Sequence, residues 1–143
     1  MSSLDARRLV LRNHLAELNR LAVWIEGWPQ EDVSPDVLFA LQLCLEEAVA
    51  NVIMYGAADS ELTIAVELER DCRTLVAHIE DNGRPFDPTR MSPHRQATSL
   101  KDAKVGDLGI HLVRSFASHM DYERRRGCNR LTLRFDQPQA VSQ

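Results

Sequence analysis

The sequence predicts an α+β fold: a two-layer sandwich in which a mixed, mostly antiparallel sheet carries helices on one face. Three observations predict it. Apolar residues recur at helical spacing between Leu15 and Val52. Strict two-residue alternation takes over from Glu61, and the turns joining the later runs are short. Early helices followed by strands joined tightly to one another point to an antiparallel sheet with its helices gathered on one side.

Each element can be justified in order. "RRLVLR" at 7–12 alternates Leu9 and Leu11 with polar neighbours and suits a strand. Asn13 is placed to cap a helix whose apolar positions are Leu15, Leu18, Leu21, Ala22 and Ile25, ended by Gly27 and Pro29. Ser34-Pro35 pairs a capping residue with a proline at the first helical position. Val37, Leu38, Leu41, Leu45, Ala48, Val49 and Val52 continue that second helix toward Gly56. In "ELTIAVELER", Leu62, Ile64, Val66 and Leu68 share one face of a strand, and "TLVAHIE" pairs with it across Asp71-Cys72-Arg73. A polar stretch, 89–105, shows no periodicity. Gly106 then opens a helix with Leu108, Ile110, Leu112, Val113 and Phe116 as its apolar set. A last hairpin turns around Gly127-Cys128 and places Leu131, Leu133 and Phe135 on one face. One domain over residues 1–143 is expected, with its core at about 7–136 and a frayed tail at 137–143.

Composition excludes several function classes. The 44% hydrophobic and 27% charged fractions are those of an ordinary globular protein. A net charge of −4 without a long basic run argues against a nucleic-acid surface, and "RRR" at 124–126 reads as a solvated strand end. The apolar runs are short and no apolar leader is visible, so no membrane association and a cytoplasmic location are expected. Cys44, Cys72 and Cys128 lie far apart, and the five histidines lack ligand spacing, so neither a disulfide framework nor a zinc site is expected.

Three places carry chemistry. Glu47 and Asn51 lie four apart on the second helix and share a face. They are either a Glu–Asn pair on a solvated edge or a carboxylate and an amide turned toward one site. In the second case the amide oxygen can join an octahedral Mg²⁺ shell without adding charge, and the carboxylate can hold a proton or a water. Glu46 is rotated from that line by about one hundred degrees. The second place is "DNGRPFDP", where Asn-Gly follows a strand without an immediate return strand. It is either an ordinary loop or the edge of a pocket. As a pocket, Asp81 accepts from an exocyclic amine, Gly83 permits close approach, Phe86 covers a flat ligand, and Pro85 and Pro88 stiffen the exit. The third is "GDLGIHLVRSF". Gly106 and Gly109 at a helix start leave backbone N–H groups at a positive dipole end, which suits phosphate; no Walker loop occurs.

In this order, E-x-x-x-N on a helix, strand–D-x-G-x-P-F, a polar stretch and G-x-L-G resemble the N box and the two glycine boxes of the GHKL (Bergerat) ATPase fold. Within it, "EEAVANVIMYG", "DNGRPFDP", "GDLGIHLVRSFASHMDYER" and "GCNRLTLRF" resemble the RsbW/SpoIIAB family of anti-sigma-factor serine kinases, over about residues 7 to 136. The resemblance implies ATP and Mg²⁺ as cofactors. It puts Mg²⁺ coordination on Asn51, the general base on Glu47 and the adenine reader on Asp81 with Gly83 beside the base. Gly106, Leu108 and Gly109 would line the phosphates. The stretch 89–105 would be an ATP lid, with Arg90, Arg95, Lys101 and Lys104 as candidates for the γ-phosphate. It further implies a sigma factor and a STAS-domain anti-anti-sigma protein as partners, and a homodimer for which Trp24, Ile25 and Trp28 are interface or core candidates. Tyr55-Gly56 stands where the family often has His-Gly. The rival reading is a nucleotide-dependent partner-binding switch with little kinase turnover. A histidine-kinase reading would need a dimerisation helix with an acceptor histidine, and none is legible here.

Overall fold

The computed structural model describes residues 7–28, 31–55, 61–71, 73–90 and 109–138. Strand β1 is Arg7–Arg12, followed by helices α1, Glu17–Glu26, and α2, Pro35–Tyr55. Strands β2, Thr63–Asp71, and β3, Thr74–Asp81, form a hairpin, and a 3₁₀ turn covers Pro88–Arg90. Helix α3, Gly109–Phe116, leads into strands β4, His119–Arg125, and β5, Cys128–Asp136. The five strands pair in the order β1-β2-β3-β5-β4, and every described pairing is antiparallel. The expected two-layer α+β arrangement therefore holds.

Alternation decides the two faces of the sheet. Leu11, Ile64, Val66, Leu68, Leu75, Ala77, Ile79, Leu131, Leu133 and Phe135 are buried in one cluster with Leu21 and Ile25 of α1, with Leu41, Leu45 and Val49 of α2, and with Val113 of α3. The opposite face carries charge. Arg130 pairs with Glu67 at 3.4 Å and Glu80 at 3.2 Å, Arg8 reaches Glu67 at 3.1 Å, and the Nδ1 of His78 lies 2.9 Å from the Thr132 hydroxyl. A sheet with one apolar and one polar face needs only one layer of helices.

Several sequence expectations are corrected. Asn13 does not cap α1: Ala16 holds the cap position and makes no side-chain cap bond. The Glu17 carboxylate instead reaches back to the Arg12 N–H at 3.0 Å, and His14 Nδ1 accepts from the Ala16 N–H. The chain makes one extra turn before the helix, so Leu15 precedes it and is 44% exposed. At the other end Ser34 does cap α2, its hydroxyl accepting from the Val37 N–H at 3.3 Å. Of the two readings, interface or core, Ile25 and Trp28 take the core, and Trp24 packs partly buried against it. Phe116, expected in the core stripe of α3, is instead 44% exposed and packs edge-on to the exposed Phe39. By length and composition α2 could cross a bilayer, against the expectation from short apolar runs. In this fold its Leu41, Cys44, Leu45, Ala48 and Val49 lie in the core. Helix α3 is described from Gly109; Gly106 and Leu108 lie outside the described residues.

The last hairpin turns at Arg126-Gly127, one residue earlier than expected, with Cys128 already paired opposite Arg125. Both turn residues have positive φ, 55° and 77°, as a two-residue hairpin turn of type I′ requires. Arginine has a β-carbon that resists this conformation and no short amide to ease it. Replacing Arg126 with Asn should raise the unfolding free energy by about 0.5–1 kcal/mol. A Cβ at Gly127 would meet nothing within 4 Å, so Gly127→Ala should cost only the conformational penalty, about 1 kcal/mol. Denaturant midpoints at unchanged slope measure both effects.

Candidate functional site

Register builds the floor of the site. Across the helical face of the sheet, Ile79 pairs with Leu131 and Leu131 with Tyr122; one row further, Asp81 pairs with Asn129 and Asn129 with Arg124. From α2, Ala48, Asn51 and Val52 face these rows, at the three- and four-residue spacing that shares one helical face. Phe86 and Pro88, in the loop after β3, close the side. The cavity between these side chains measures about 20 Å³, room for about one water. A purine ring needs more room than this arrangement of side chains leaves.

Asp81 is 5% exposed at the end of a central strand. Its Oδ1 accepts from the Gly83 N–H at 2.9 Å and from the Asn129 amide at 3.0 Å. Burial pushes its carboxyl above the ordinary range, while the Asn129 and Gly83 donors and the Arg124 charge pull the other way. The loop that follows is tied down at several points. Asn129 donates to the Arg84 carbonyl at 2.8 Å and accepts from the Phe86 N–H at 3.2 Å and from the Tyr122 hydroxyl. Arg124 donates to the Gly83 carbonyl at 2.7 Å, and Arg84 Nε to the Tyr55 carbonyl at 2.9 Å. The rings of Tyr55 and Phe86 stack with centroids 5.8 Å apart. Asn-Gly makes no hairpin here; the Asn82 Oδ1 accepts from the Thr63 N–H at 2.9 Å and holds the start of β2.

The structure thus brings together Asn51, Asp81 and Phe86, all read from sequence as site residues, in one lining. Glu47 stands one turn before Asn51, half-buried and outside that lining, and burial raises its carboxyl above the ordinary 4.5. Glu46 is raised too, by burial first and then by the charge of Glu47. Gly83 is buried beside Asp81, whereas Pro85 is exposed and Pro88 lines the cavity in its place. Arg90 is exposed and paired with Asp87 at 3.4 Å. Gly109 begins α3, which the Arg114 side chain ties to the Thr89 carbonyl. Arg95, Lys101, Lys104, Gly106 and Leu108 lie outside the described residues.

Sequence reading missed Asn129, Tyr122 and Arg124. A signal for the first was present: stepping back by two from Leu131, Leu133 and Phe135 lands on Asn129, a polar residue on the core face. Arg124 lies at the exposed strand end that "RRR" suggests, and its guanidinium also binds the site loop. Among the described residues no group of three His, Cys, Asp or Glu could hold a metal. A cation that takes most of its ligands from phosphates and water, as Mg²⁺ does, remains compatible with a buried amide and one nearby carboxylate.

Residues 11–135 match the histidine kinase-like ATPase domain family. The serine/threonine-protein kinase BtrW of Bordetella bronchiseptica is 36% identical over 112 residues, 77% of this chain and 79% of that protein. An anti-sigma F factor of Clostridium kluyveri is 26% identical over 94 residues, 66% of either chain. Among solved structures, the histidine kinase domain of a blue-light activated histidine kinase from Erythrobacter litoralis EL346 has a TM-score of 0.53 at 14% identity, over 92% of this chain and 67% of that one. The histidine kinase AdeS of Acinetobacter baumannii gives 0.50 at 12% identity, over 93% and 70%. At such identities these two speak for the fold alone. The match across most of the chain, together with BtrW, settles the family: the chain belongs to the histidine kinase-like ATPase domains, and among them to the RsbW/SpoIIAB type.

Proposed function

We propose that this chain is a single-domain, cytoplasmic, ATP-dependent protein-serine/threonine kinase that is also an anti-sigma factor. It holds a sigma factor, phosphorylates a serine of a STAS-domain anti-anti-sigma protein, and works as a homodimer. The observation that carries this reading is the shared lining of Asn51, from the E-x-x-x-N helix, and Asp81, from D-x-G-x-P-F. The relatives, a serine/threonine-protein kinase and an anti-sigma F factor, support its two halves.

On this reading Asp81 accepts from the adenine amine, and Phe86 covers the ring. Backbone N–H groups at the start of α3, from Gly109, favour the phosphates through their dipole end, with Gly106 and Leu108 assigned beside them. Asn51 would hold Mg²⁺ with its amide oxygen; when bound, that cation neutralises phosphate charge. Glu47 takes the proton from the acceptor serine as its oxygen bonds to the γ-phosphorus and the bond to ADP breaks. A carboxyl raised by burial is closer to matching that task near neutral pH than an exposed one. Arg90, Arg95, Lys101 and Lys104 are assigned to the lid.

The test is incubation with the STAS-domain partner, Mg²⁺ and labelled ATP. Bound ATP and a retained sigma factor without labelled partner would replace the kinase by the switch reading. Asn51→Ala should weaken Mg-ATP binding by about tenfold or more, on the scale of one lost bond to a charged group. Glu47→Gln should leave ATP affinity in place and slow transfer by about a hundredfold or more. The same variant makes a pH prediction. A carboxyl raised on folding binds its proton more tightly in the folded chain, so its ionisation opposes folding and stability falls as pH rises. Glu47→Gln should therefore unfold at a higher temperature than the unaltered chain at pH 7, and this gain should vanish below the ordinary value of 4.5.

A further inference from the structure

Asn129 is 5% exposed on the helical face of the sheet, and its register partner on β3 is Asp81. A carboxamide has two N–H donors and an oxygen with two lone pairs. Here all four are engaged within the chain. The donors go to Asp81 Oδ1 at 3.0 Å and to the Arg84 carbonyl at 2.8 Å; the oxygen accepts from the Phe86 N–H at 3.2 Å and from the Tyr122 hydroxyl. Nothing on this side chain is left over for a ligand, so its action lies in what it holds.

What it holds is the orientation of Asp81. The carboxylate turns freely about its last bond unless something pins it. Asn129 and the Gly83 N–H both donate to Oδ1 and occupy that oxygen from two directions. The carboxylate plane is thereby set, and Oδ2 is the oxygen those two donors leave for an incoming base. Through Arg84 and Phe86, the same amide holds the loop that carries the covering ring. We propose that Asn129 is a positioning residue that determines base specificity: by fixing which oxygen of Asp81 is presented, it enforces preference for a 6-aminopurine over a 6-oxopurine. This deepens the ATP-site reading above and rests on it. The chemistry is a matter of sign. An exocyclic amine donates to a fixed carboxylate oxygen, whereas a 6-oxo group presents a second acceptor to it and is rejected; a site built around one such bond discriminates strongly. A carboxylate free to turn presents no fixed acceptor and discriminates poorly.

The experiment compares equilibrium binding of ATP and ITP by the unaltered chain, by Asn129→Ala and by Asn129→Asp. The aspartate variant keeps the volume and the acceptors for Phe86 and Tyr122, but it exchanges the two N–H donors for an oxygen and sets a second carboxyl against Asp81. Circular dichroism and an unfolding midpoint establish that the variants fold, and the aspartate variant decides the matter if the alanine variant does not. The expected result is a fall in ATP affinity of about tenfold or more, as for one lost bond to a charged group, with ITP affinity little changed, so that the preference collapses. A merely structural role moves both nucleotides together. Equal losses for ATP and ITP, or an unchanged preference, overturn the inference while leaving the ATP site standing. Failure of the unaltered chain to bind ATP overturns both.

Discussion

Helix α2 lies along the helical face of the sheet, and its burial there is the constraint on which the rest of the structure depends. Leu41, Leu45 and Val49 are fully buried, and each such side chain contributes about 1.5–3 kcal/mol by leaving water. That packing leaves little freedom for the residues between them. Ala48, Asn51 and Val52 are carried to the same side and become one wall of the cavity. The small side chain of Ala48 is part of why a gap exists at all. Burial also explains an inert thiol: Cys44, held in the core beside the charge of Glu47, is pushed up to about 12 and is not a nucleophile near neutral pH.

The opposite wall is a polar network inside an apolar layer. A buried carboxylate is costly unless its acceptors are met, and Asp81 meets two donors on one oxygen while Arg124 supplies positive charge nearby. Asn129 joins β3, β4, β5 and the loop into one unit, so that no member can shift without breaking a bond to another. Networks of this sort rigidify a site because each unmade bond would be expensive in a low dielectric. Phe86 extends this floor at the side, its N–H bound to Asn129 and its ring stacked on Tyr55.

Most of the element order was legible in the sequence, since periodicity and turn chemistry act over a few residues. Helix α2 and the hairpin of β2 and β3 followed from spacing alone, and Ser34 capped as its type suggests. Failures came where a local rule met a tertiary competitor. Asn13 is a good capping residue, yet the chain uses an extra turn and the Glu17 carboxylate instead. For Trp28 the sequence left interface and core both open, and packing chose the core, where it is 2% exposed. Of the site, Asn51, Asp81 and Phe86 were readable because each sits inside a short motif. Asn129, Tyr122 and Arg124 sit in strands whose chemistry shows only once their partners are known.

The sequence by itself determined the elements, their order and the three boxes that mark the family, because each is written within a dozen residues and needs no distant partner. Tertiary structure alone decided that Asp81 would face Asn129, 48 positions along the chain. That pairing depends on the register of two strands, and register is set by the packing of an entire face and by a two-residue turn at Arg126-Gly127. A slip of one residue would turn Asn129 to the charged side and leave Asp81 without its amide. Short motifs name the groups of a site; strand register decides which of them meet.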